Sequence, residues 1–335
     1  MSTLAHHRPQ AQSEPEAADG AGDQALILLN PRSFRMSLRQ RVDRIRSLAG
    51  KRTLAIVEAS EPGQMQQALN HARKAGCRLI IVVGGDGTLQ GVVTLLAASQ
   101  ATPPNILMLG GGRTNYTARD IGTSDQLLAT LEAALDDPGK LSVTSRQSLE
   151  LDHPDIGIQH GFFLAAALVD FVIRDAHRFR SQGSGLLRTG HLSSAICLSR
   201  LAALGLIGRS GFVAPELSID AGALGLLEGP TRLLIATTLT HQADLIDPYI
   251  AVGDGPVRLT AVLKQAQGFW RRLPRLMRGH HWPGMNTRSG YLSGRCEEVR
   301  VHGLTGIALD GQEFDLDPGI PLSIRPGPMF RFLHR

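Results

Sequence analysis

Between residues 24 and 135 the sequence alternates short apolar runs with amphipathic segments, and this alternation constrains the fold more than any other feature. Each apolar run has the length and composition of a strand that is buried on both faces. The runs are residues 25–29, 54–57, 79–83 and 106–109. Helical patterns follow them at residues 37–48, 60–76, 88–97 and 123–135. Because repeated strand–helix units build a parallel sheet with helices on both faces, we predict a doubly wound α/β domain over residues 25–140.

The pattern changes after the pair formed by Pro138 and Gly139. Strand-like runs separated by Gly, Pro and Asp turns follow, which is typical of a mainly antiparallel β domain. These runs are residues 141–151, 161–169, 216–219, 232–239, 257–263, 298–301 and 322–324. Two helical patterns lie among them, at residues 191–207 and 265–277. We therefore predict a second, β-rich domain over residues 141–335.

Composition limits the environment and the partners of the chain. Residues 1–24 hold little that could be buried and lack the apolar core of a signal peptide, so we expect a disordered leader. No apolar run elsewhere approaches the length of a membrane span. Three scattered cysteines favour a reducing compartment, and the net charge of +5 suits phosphate ligands or an anionic membrane. With aromatic residues at 4%, nucleic acid is not an expected partner, and we expect a cytoplasmic protein with peripheral contact at the inner membrane face.

The third apolar run leads directly into a glycine-rich turn, formed by Gly84, Gly85, Asp86, Gly87 and Thr88. Glycine lets the main chain approach a ligand closely, and exposed N–H groups before a helix favour an anion. A carboxylate in this loop would repel bare phosphate, so Asp86 needs a cation, a hydroxyl proton or a backbone cap. The alternative is an ordinary strand-to-helix turn in which Asp86 and Thr88 are only turn and cap residues.

Two further polar turns follow apolar runs of the same predicted sheet. Glycines 110–112 lead into Thr114 and Asn115, and the first run ends in a turn that contains Asn30 and Ser33. Ligands of doubly wound sheets bind at the carboxyl ends of the strands, where all three turns should lie. Three such turns at one edge favour a nucleotide-binding cleft.

These three segments resemble the diacylglycerol kinase catalytic family, which includes bacterial lipid kinases and sphingosine kinases. The family has an Asn-Pro-x-Ser turn, then Gly-Gly-Asp-Gly-Thr, then Gly-Thr-x-Asn-Asp-Phe-Ala-Arg-x-Leu-Gly, which reads Gly-Arg-Thr-Asn-Tyr-Thr-Ala-Arg-Asp-Ile-Gly at residues 112–122. The resemblance continues through the pair Asp254-Gly255 and a late Asp-Gly-Gln at residues 310–312. It covers residues 25 to 330, nearly the whole of the chain that we expect to be ordered.

The resemblance implies an ATP-dependent, Mg²⁺-using lipid kinase that transfers the γ-phosphoryl group to a lipid hydroxyl of the diacylglycerol type. It implies that ATP lies between the parallel sheet and a second domain that forms a β-sandwich. The residues expected around the nucleotide are Asn30, Pro31, Ser33, Gly84, Gly85, Asp86, Gly87, Thr88, Gly112, Thr114 and Asn115. Asp86 and Asp254 are the expected metal ligands, and Asp86, Asp310 and Glu313 the expected catalytic residues. A lipid at a membrane surface is the expected partner.

Two positions depart from the family pattern. The aspartate of Asn-Asp-Phe is Tyr116, whose phenol cannot replace a carboxylate that helps to hold a cation. The family's base position is Gln312, whose amide cannot accept a proton. Glu313 follows it, but neighbouring side chains on a strand point to opposite faces. Asp310 is retained, either as a catalytic group or as the first residue of an Asp-Gly hairpin turn.

The sequence leaves other functions open. One is a member of the same family that binds nucleotide or lipid but is catalytically impaired, which the two departures favour. Another is an NAD kinase, which shares Gly-Gly-Asp-Gly-Thr but has a later Asn-Glu pair that is missing here. Basic segments at residues 174–209 and 269–278 either face an anionic membrane or form helices with solvated basic faces.

Overall fold

The computed structural model describes residues 25–33, 39–52, 54–99, 101–111, 116–122, 127–136, 141–182, 212–240 and 247–335. The leader predicted for residues 1–24 and the helix predicted at 191–207 lie outside the described residues. So do Gly112, Thr114 and Asn115, which the resemblance places beside the nucleotide. Within the described part, no helix is long and apolar enough to span a membrane.

The first part of the chain forms a parallel sheet with strand order β2-β1-β3-β4. Its strands are β1 (Ala25–Leu29), β2 (Ala55–Glu58), β3 (Leu79–Gly84) and β4 (Asn105–Gly110). The helices are α1 (Arg39–Gly50), α2 (Pro62–Lys74), α3 (Asp86–Ala98), α4 (Tyr116–Asp120) and α5 (Leu127–Asp136). Because order and direction agree with repeated strand–helix units, the carboxyl ends of β1, β3 and β4 meet at one edge.

Alternate residues of each strand enter two different cores. Leu28, Val82 and Met108 pack with α2 and α3 on one face of the sheet. Leu29 and Val83 pack with α1 and α5 on the other face. A strand whose two faces are both covered must be apolar at every position, which is why these strands read as continuous apolar runs. The predicted doubly wound sheet is confirmed.

The second part is rich in antiparallel strands. They are β5 (Ser142–His153), β6 (Gly157–Gly161), β7 (Phe163–Ala167), β8 (Glu216–Asp220), β9 (Leu226–Thr237), β10 (Val257–Leu263), β11 (Tyr291–Cys296), β12 (Val299–His302), β13 (Gly306–Leu309), β14 (Gln312–Asp315) and β15 (Leu322–His334). Two helices accompany them, α6 (Leu168–Gln182) and α7 (Phe269–Leu276). One layer has the order β14-β13-β7-β9-β10-β11, and the other contains β6, β5, β15, β12 and β8. Side chains of both layers form one apolar core, as in a β-sandwich.

The last strand joins the two parts of the molecule. β15 pairs with β5 along nearly its whole length, its start also pairs with β12, and Phe332 and Leu333 pair in parallel with Ile106 and Leu107 of β4. The sequence pattern predicts a strand only at residues 322–324 here. The strand is longer because its second half pairs with β5 and β4, which lie far away in the sequence.

The strand predicted at residues 161–169 is interrupted. β7 ends at Ala167, which has a positive φ of 56°, and α6 begins at the next residue. A left-handed residue turns the chain sharply, so the apolar run divides into a buried strand and the first turn of a helix. The apolar pattern alone does not distinguish these two structures, because Val172 and Leu168 are buried as deeply as a strand would require.

Candidate active site

Three strand tips meet at the carboxyl edge of the parallel sheet. The N–H of Gly111, after β4, donates to the carbonyl of Gly84 at 2.6 Å, and the N–H of Asn30, after β1, donates to that of Val83 at 2.9 Å. A Cβ atom on Gly111 would lie 2.9 Å from the Ser33 hydroxyl. The three loops therefore contact one another, as the sequence predicts. Gly111 carries no side chain, and this leaves room for the contact.

Asn30 ties the first loop to the helix that follows the second. Its Nδ2 donates to Oγ1 of Thr88 at 3.0 Å, while its Oδ1 accepts the N–H of Arg32 at 3.0 Å. A Cβ atom on Gly84 would lie 2.7 Å from the Thr88 side chain, so only glycine fits there without a shift. Thr88 is therefore more than a helix cap: it fixes the distance between two loops of the cleft.

Asp86 is the first residue of α3, and its carboxylate accepts a hydrogen bond from the segment that follows the next strand. Oδ1 of Asp86 accepts the N–H of Thr117 at 3.2 Å, in the first turn of α4. Thr117 is fully buried, so this bond anchors α4 against α3. The backbone cap that the sequence left open as a role for Asp86 thus exists, but it caps α4 and not its own helix.

Asp310 lies in the tight turn between β13 and β14, with a positive φ of 48°. Its carboxylate accepts the N–H groups of Phe162 and Phe163, each at 2.9 Å, and its own N–H donates to the carbonyl of Phe163 at 2.8 Å. A Cβ atom on Gly161 would lie 2.6 Å from Oδ2 of Asp310, so the chain before β7 passes directly beside the carboxylate. Asp310 is both a hairpin-turn residue and a buried carboxylate.

The negative charge of Asp86, in the first part of the molecule, influences the pKa of Asp310, in the second part. Burial is the main cause that raises the pKa of Asp310 well above the usual carboxyl value, and the negative charge of Asp86 raises it further. The two N–H bonds from Phe162 and Phe163 oppose this rise. Two carboxylates that repel each other beside glycine loops form a place where a proton or a cation is stabilised.

Gln312 and Glu313 point in different directions. Nε2 of Gln312 donates to the carbonyl of Gly87 at 3.2 Å, which places the start of β14 on the glycine turn. A carboxylate at this position could not donate that bond. Glu313 instead faces α6, where burial raises the pKa of Asp170 and the charge of Glu313 adds to this rise. The alternation of side chains that the sequence predicts for this pair is present.

Asp254 does not form a group with the carboxylates of Asp86 and Asp310. It is exposed in the loop before β10, between Gly253 and Gly255, which both have positive φ. Cβ atoms on these glycines would strike the backbone of Arg295 and Cys296 at the end of β11, so the loop is a close-packed turn. Among the described residues, no three acidic, histidine or cysteine side chains gather into a group that could hold a metal ion. A metal-binding role of Asp254 stays a prediction.

Arg174 has a function that the sequence analysis missed. The sequence places it in a basic segment that either faces a membrane or forms a solvated basic helix face, but its guanidinium donates to Oδ2 of Asp170 at 2.8 Å and to Oδ1 of Asp315 at 2.6 Å. It also donates to the carbonyl of Phe314 at 2.7 Å, so it binds α6 to the hairpin that carries Asp310. The spacing of four residues between Asp170 and Arg174 on a helix was the available signal.

Comparisons with known proteins agree with this geometry. The family model described as the diacylglycerol kinase catalytic domain matches residues 24–144. No curated protein matches the sequence significantly. The solved structure of a candidate diacylglycerol kinase from Bacillus anthracis str. Sterne aligns with a TM-score of 0.66 and 15% identity, and covers 95% of this chain and 99% of that one.

A second structure, of a diacylglycerol kinase from the same organism, aligns with a TM-score of 0.60 and 13% identity, over 95% of this chain and 98% of that one. Identities this low establish a shared fold. The resemblance seen in the sequence is thus confirmed, because residues 24–144 match the family model of the diacylglycerol kinase catalytic domain.

Proposed function

We propose that this chain is a lipid kinase-like phosphotransferase that transfers the γ-phosphoryl group of ATP to the hydroxyl of a diacylglycerol-type lipid. The observation that carries the proposal is the convergence of three polar loops beside Asp86, together with Gln312, which ties the turn of Asp310 to Gly87. Phosphoryl transfer requires bound phosphates, stabilisation of negative charge and an acceptor for the hydroxyl proton. The glycine loops and the two carboxylates together would meet these three requirements within one cleft.

The nucleotide-binding part of the proposal rests on the loops. α3 spans 13 residues, and its N-terminus presents main-chain N–H groups and a positive helix dipole to the glycine turn. Gly84 and Gly111 keep this edge free of side chains, and Asn30 and Thr88 hold the loops together. The triphosphate of ATP would lie against Gly85 and Gly87, with Pro31 and Ser33 on one side.

Mg²⁺ fits the donor set because Mg²⁺ is commonly bound by one or two carboxylates together with substrate phosphates and water. Asp86 and Asp310 supply two carboxylates whose mutual repulsion a cation would relieve. When bound, the ion would neutralise charge on the phosphate oxygens. Asp86 would hold it, since its carboxylate belongs to the glycine turn, where Oδ1 accepts the N–H of Thr117.

Asp310 is the carboxylate that would take the proton of the acceptor hydroxyl. Gln312 cannot accept a proton, and Glu313 faces α6. The raised pKa of Asp310, caused by burial and by the charge of Asp86, makes it a stronger base than an ordinary aspartate. The acceptor lies in a bilayer, so the reaction would take place at a membrane surface, in peripheral contact with the inner face of a cytoplasmic membrane.

A second candidate function is nucleotide or lipid binding without catalysis. The hydrogen bond from Gln312 to Gly87 favours it, because an amide fills the position of the family's base. Such a protein would keep the glycine cleft and bind ATP, but no group would remove the acceptor proton efficiently.

The test is transfer of labelled phosphate. Purified protein is incubated with γ-labelled ATP, Mg²⁺ and a mixed lipid extract, beside Asp310→Asn and Asp86→Asn variants. Asp43→Asn, an exposed change on α1, serves as the control. Label that enters lipid with wild type and the control, and is lost in both site variants, supports the proposal. ATP binding without transfer supports the second candidate, and label in NADP⁺ after NAD⁺ is added to the incubation supports an NAD kinase. Absence of ATP binding contradicts all three.

A further inference from the structure

A basic pocket lies beside Arg232, in the middle of β9. It has a volume of about 350 Å³ and is formed by the loop after β10 and the start of α7. Its charged lining residues are Arg232, Lys264 and Arg271, and aromatic rings of Phe269 and Trp270 close one side. The lining contains no acidic side chain. Three cations beside aromatic rings form a site of positive potential.

The guanidinium of Arg232 is the central group of this pocket. Its Nη2 donates to the carbonyl of Lys264 at 3.0 Å, and its Cζ lies 4.5 Å from the ring centre of Phe269 and 5.3 Å from that of Trp270. Its Nη1 is buried and has no hydrogen-bond partner among the described residues. Burial lowers the pKa of Arg232, yet an arginine stays charged at neutral pH. This cation therefore lacks a complete set of acceptors.

We propose that this pocket binds a phosphate group, with Arg232 as the principal donor. The planar fork of arginine matches two phosphate oxygens, and Lys264 and Arg271 add positive charge at the rim. The ring of Trp270 covers the guanidinium but is 40% exposed, so displacement of this ring opens Nη1 to the ligand. The bound phosphate supplies the acceptor that Nη1 lacks.

The pocket is separate from the ATP cleft. Thr237 of β9 donates its hydroxyl proton to the carbonyl of Phe162, next to the residues that bind Asp310. Arg232 precedes Thr237 by five positions on the same strand, which is roughly 16 Å at the rise of an extended chain. The phosphates of ATP in the cleft thus cannot occupy the pocket, and the inference does not depend on the proposed function.

The phosphate could belong to a lipid headgroup or to a small soluble ester. Both have the same chemistry for Arg232, and the test distinguishes them. Trp270 is the reporter, because the chain has two tryptophans and the other, Trp282, is buried. In a Trp282→Phe background, Trp270 emission is followed during titration with inorganic phosphate, glycerol 3-phosphate, and phosphatidylcholine vesicles with or without phosphatidic acid.

We expect a saturable change of Trp270 emission with probes that carry inorganic or monoester phosphate, and none with the zwitterionic phosphodiester of pure phosphatidylcholine. Arg232→Met should weaken binding at least tenfold, and Lys264→Met about threefold. Lys264 is exposed, so this second variant keeps the test valid if Arg232→Met does not fold. Arg300→Met, an exposed change on β12, should leave the affinity unchanged. The same titrations by calorimetry on the unaltered chain check that Trp282→Phe is harmless.

Each outcome of these titrations either supports the proposed pocket or overturns it. Binding of glycerol 3-phosphate and of phosphatidic acid vesicles supports the pocket and indicates that a soluble ester suffices. Binding only of phosphatidic acid vesicles supports the pocket and assigns the phosphate to a lipid. No response to any phosphate probe would overturn the proposal. So would equal affinity of wild type, Arg232→Met and Lys264→Met, or equal binding to pure phosphatidylcholine vesicles.

Discussion

Asp310, in the turn between β13 and β14, is close enough to Asp86 at the start of α3 for the charge of Asp86 to add to the rise of the pKa of Asp310 that burial causes. The two residues belong to different parts of the fold. Their approach is fixed independently by Gln312, which follows Asp310 closely and donates a hydrogen bond to Gly87, the neighbour of Asp86. The cleft is therefore defined by contacts of both parts.

The first prediction concerns the pH dependence of stability. The folded pKa of Asp310 is raised above the ordinary value of 3.8, so the folded protein binds this proton more tightly than the unfolded chain. The free energy of unfolding contributed by this group therefore falls as pH rises from 3.8 through the raised pKa. Asp86→Asn removes one cause of the shift, so it should reduce this fall and raise stability at neutral pH.

Urea unfolding between pH 4 and pH 8 measures this effect. Asp43→Asn removes an exposed carboxylate of α1 and should leave the slope of stability against pH unchanged. A wild-type slope identical to that of Asp86→Asn would show that the two carboxylates do not interact.

The second prediction concerns the contact between the glycine turn and α3. Gly84→Ala should lower the free energy of unfolding by about 1–3 kcal/mol, because the new Cβ meets the branched Thr88 side chain. It should also weaken ATP binding, since Thr88 positions Asn30. Gly63→Ala is the matched control, as its Cβ would meet nothing within 4 Å. Denaturant unfolding and ATP titration of both variants provide the measurements, and equal effects would contradict the account.

The third prediction concerns Arg174, which binds α6 to the hairpin of Asp310. Arg174→Met should lower the free energy of unfolding by about 2 kcal/mol, because it leaves the largely buried carboxylate of Asp170 without its cation. The double variant with Asp170→Asn should recover part of this loss. Chemical denaturation of the four proteins in this cycle gives the coupling energy. Additive losses would mean that the two side chains do not stabilise each other.

The fourth prediction concerns Gln312. Gln312→Glu loses the hydrogen bond to the carbonyl of Gly87 and adds a charge near Asp86, so stability at pH 7 should fall by about 1 kcal/mol. The same variant restores the carboxylate that the resemblance implies at this position, so it should transfer phosphate to lipid faster than wild type. Gln267→Glu, an exposed change next to α7, serves as the control. A Gln312→Glu protein as stable as wild type would indicate that the hydrogen bond to Gly87 contributes nothing.

The first sheet could be predicted from sequence because β1, β3 and β4 are buried on both faces and are almost entirely apolar. These strands and the more exposed edge strand β2 begin and end within one residue of the predicted runs. The polar or glycine-containing strands β6 and β11 were not predicted, as their stability comes from pairing with neighbours. The parallel pairing of β15 with β4 was likewise hidden, because nothing local in the last residues identifies a partner so far away in the sequence.

The candidate site, like the fold, could be predicted from sequence only in part. The convergence of Asn30, Gly84 and Gly111 follows from sheet topology, which sequence periodicity reveals. The burial of Asp310 could not be predicted from sequence. Its carboxylate binds main-chain N–H groups of Phe162 and Phe163, and every residue type other than proline has such a group, so the sequence does not identify them. The hydrogen bonds of Arg174 were also missed, since a basic residue in a basic segment looks solvent-exposed until the hairpin is placed beside it.

The central claim is that Asp86 holds a cation against phosphates bound by the glycine loops, whereas Asp310 accepts the proton of the lipid hydroxyl. Calorimetric titration of ATP, with and without Mg²⁺, into wild type and Asp86→Asn tests it most directly. We predict that Mg²⁺ raises the affinity of wild type for ATP at least tenfold, and that Asp86→Asn loses most of this increase. An affinity that is independent of Mg²⁺ and unchanged by Asp86→Asn would contradict the claim.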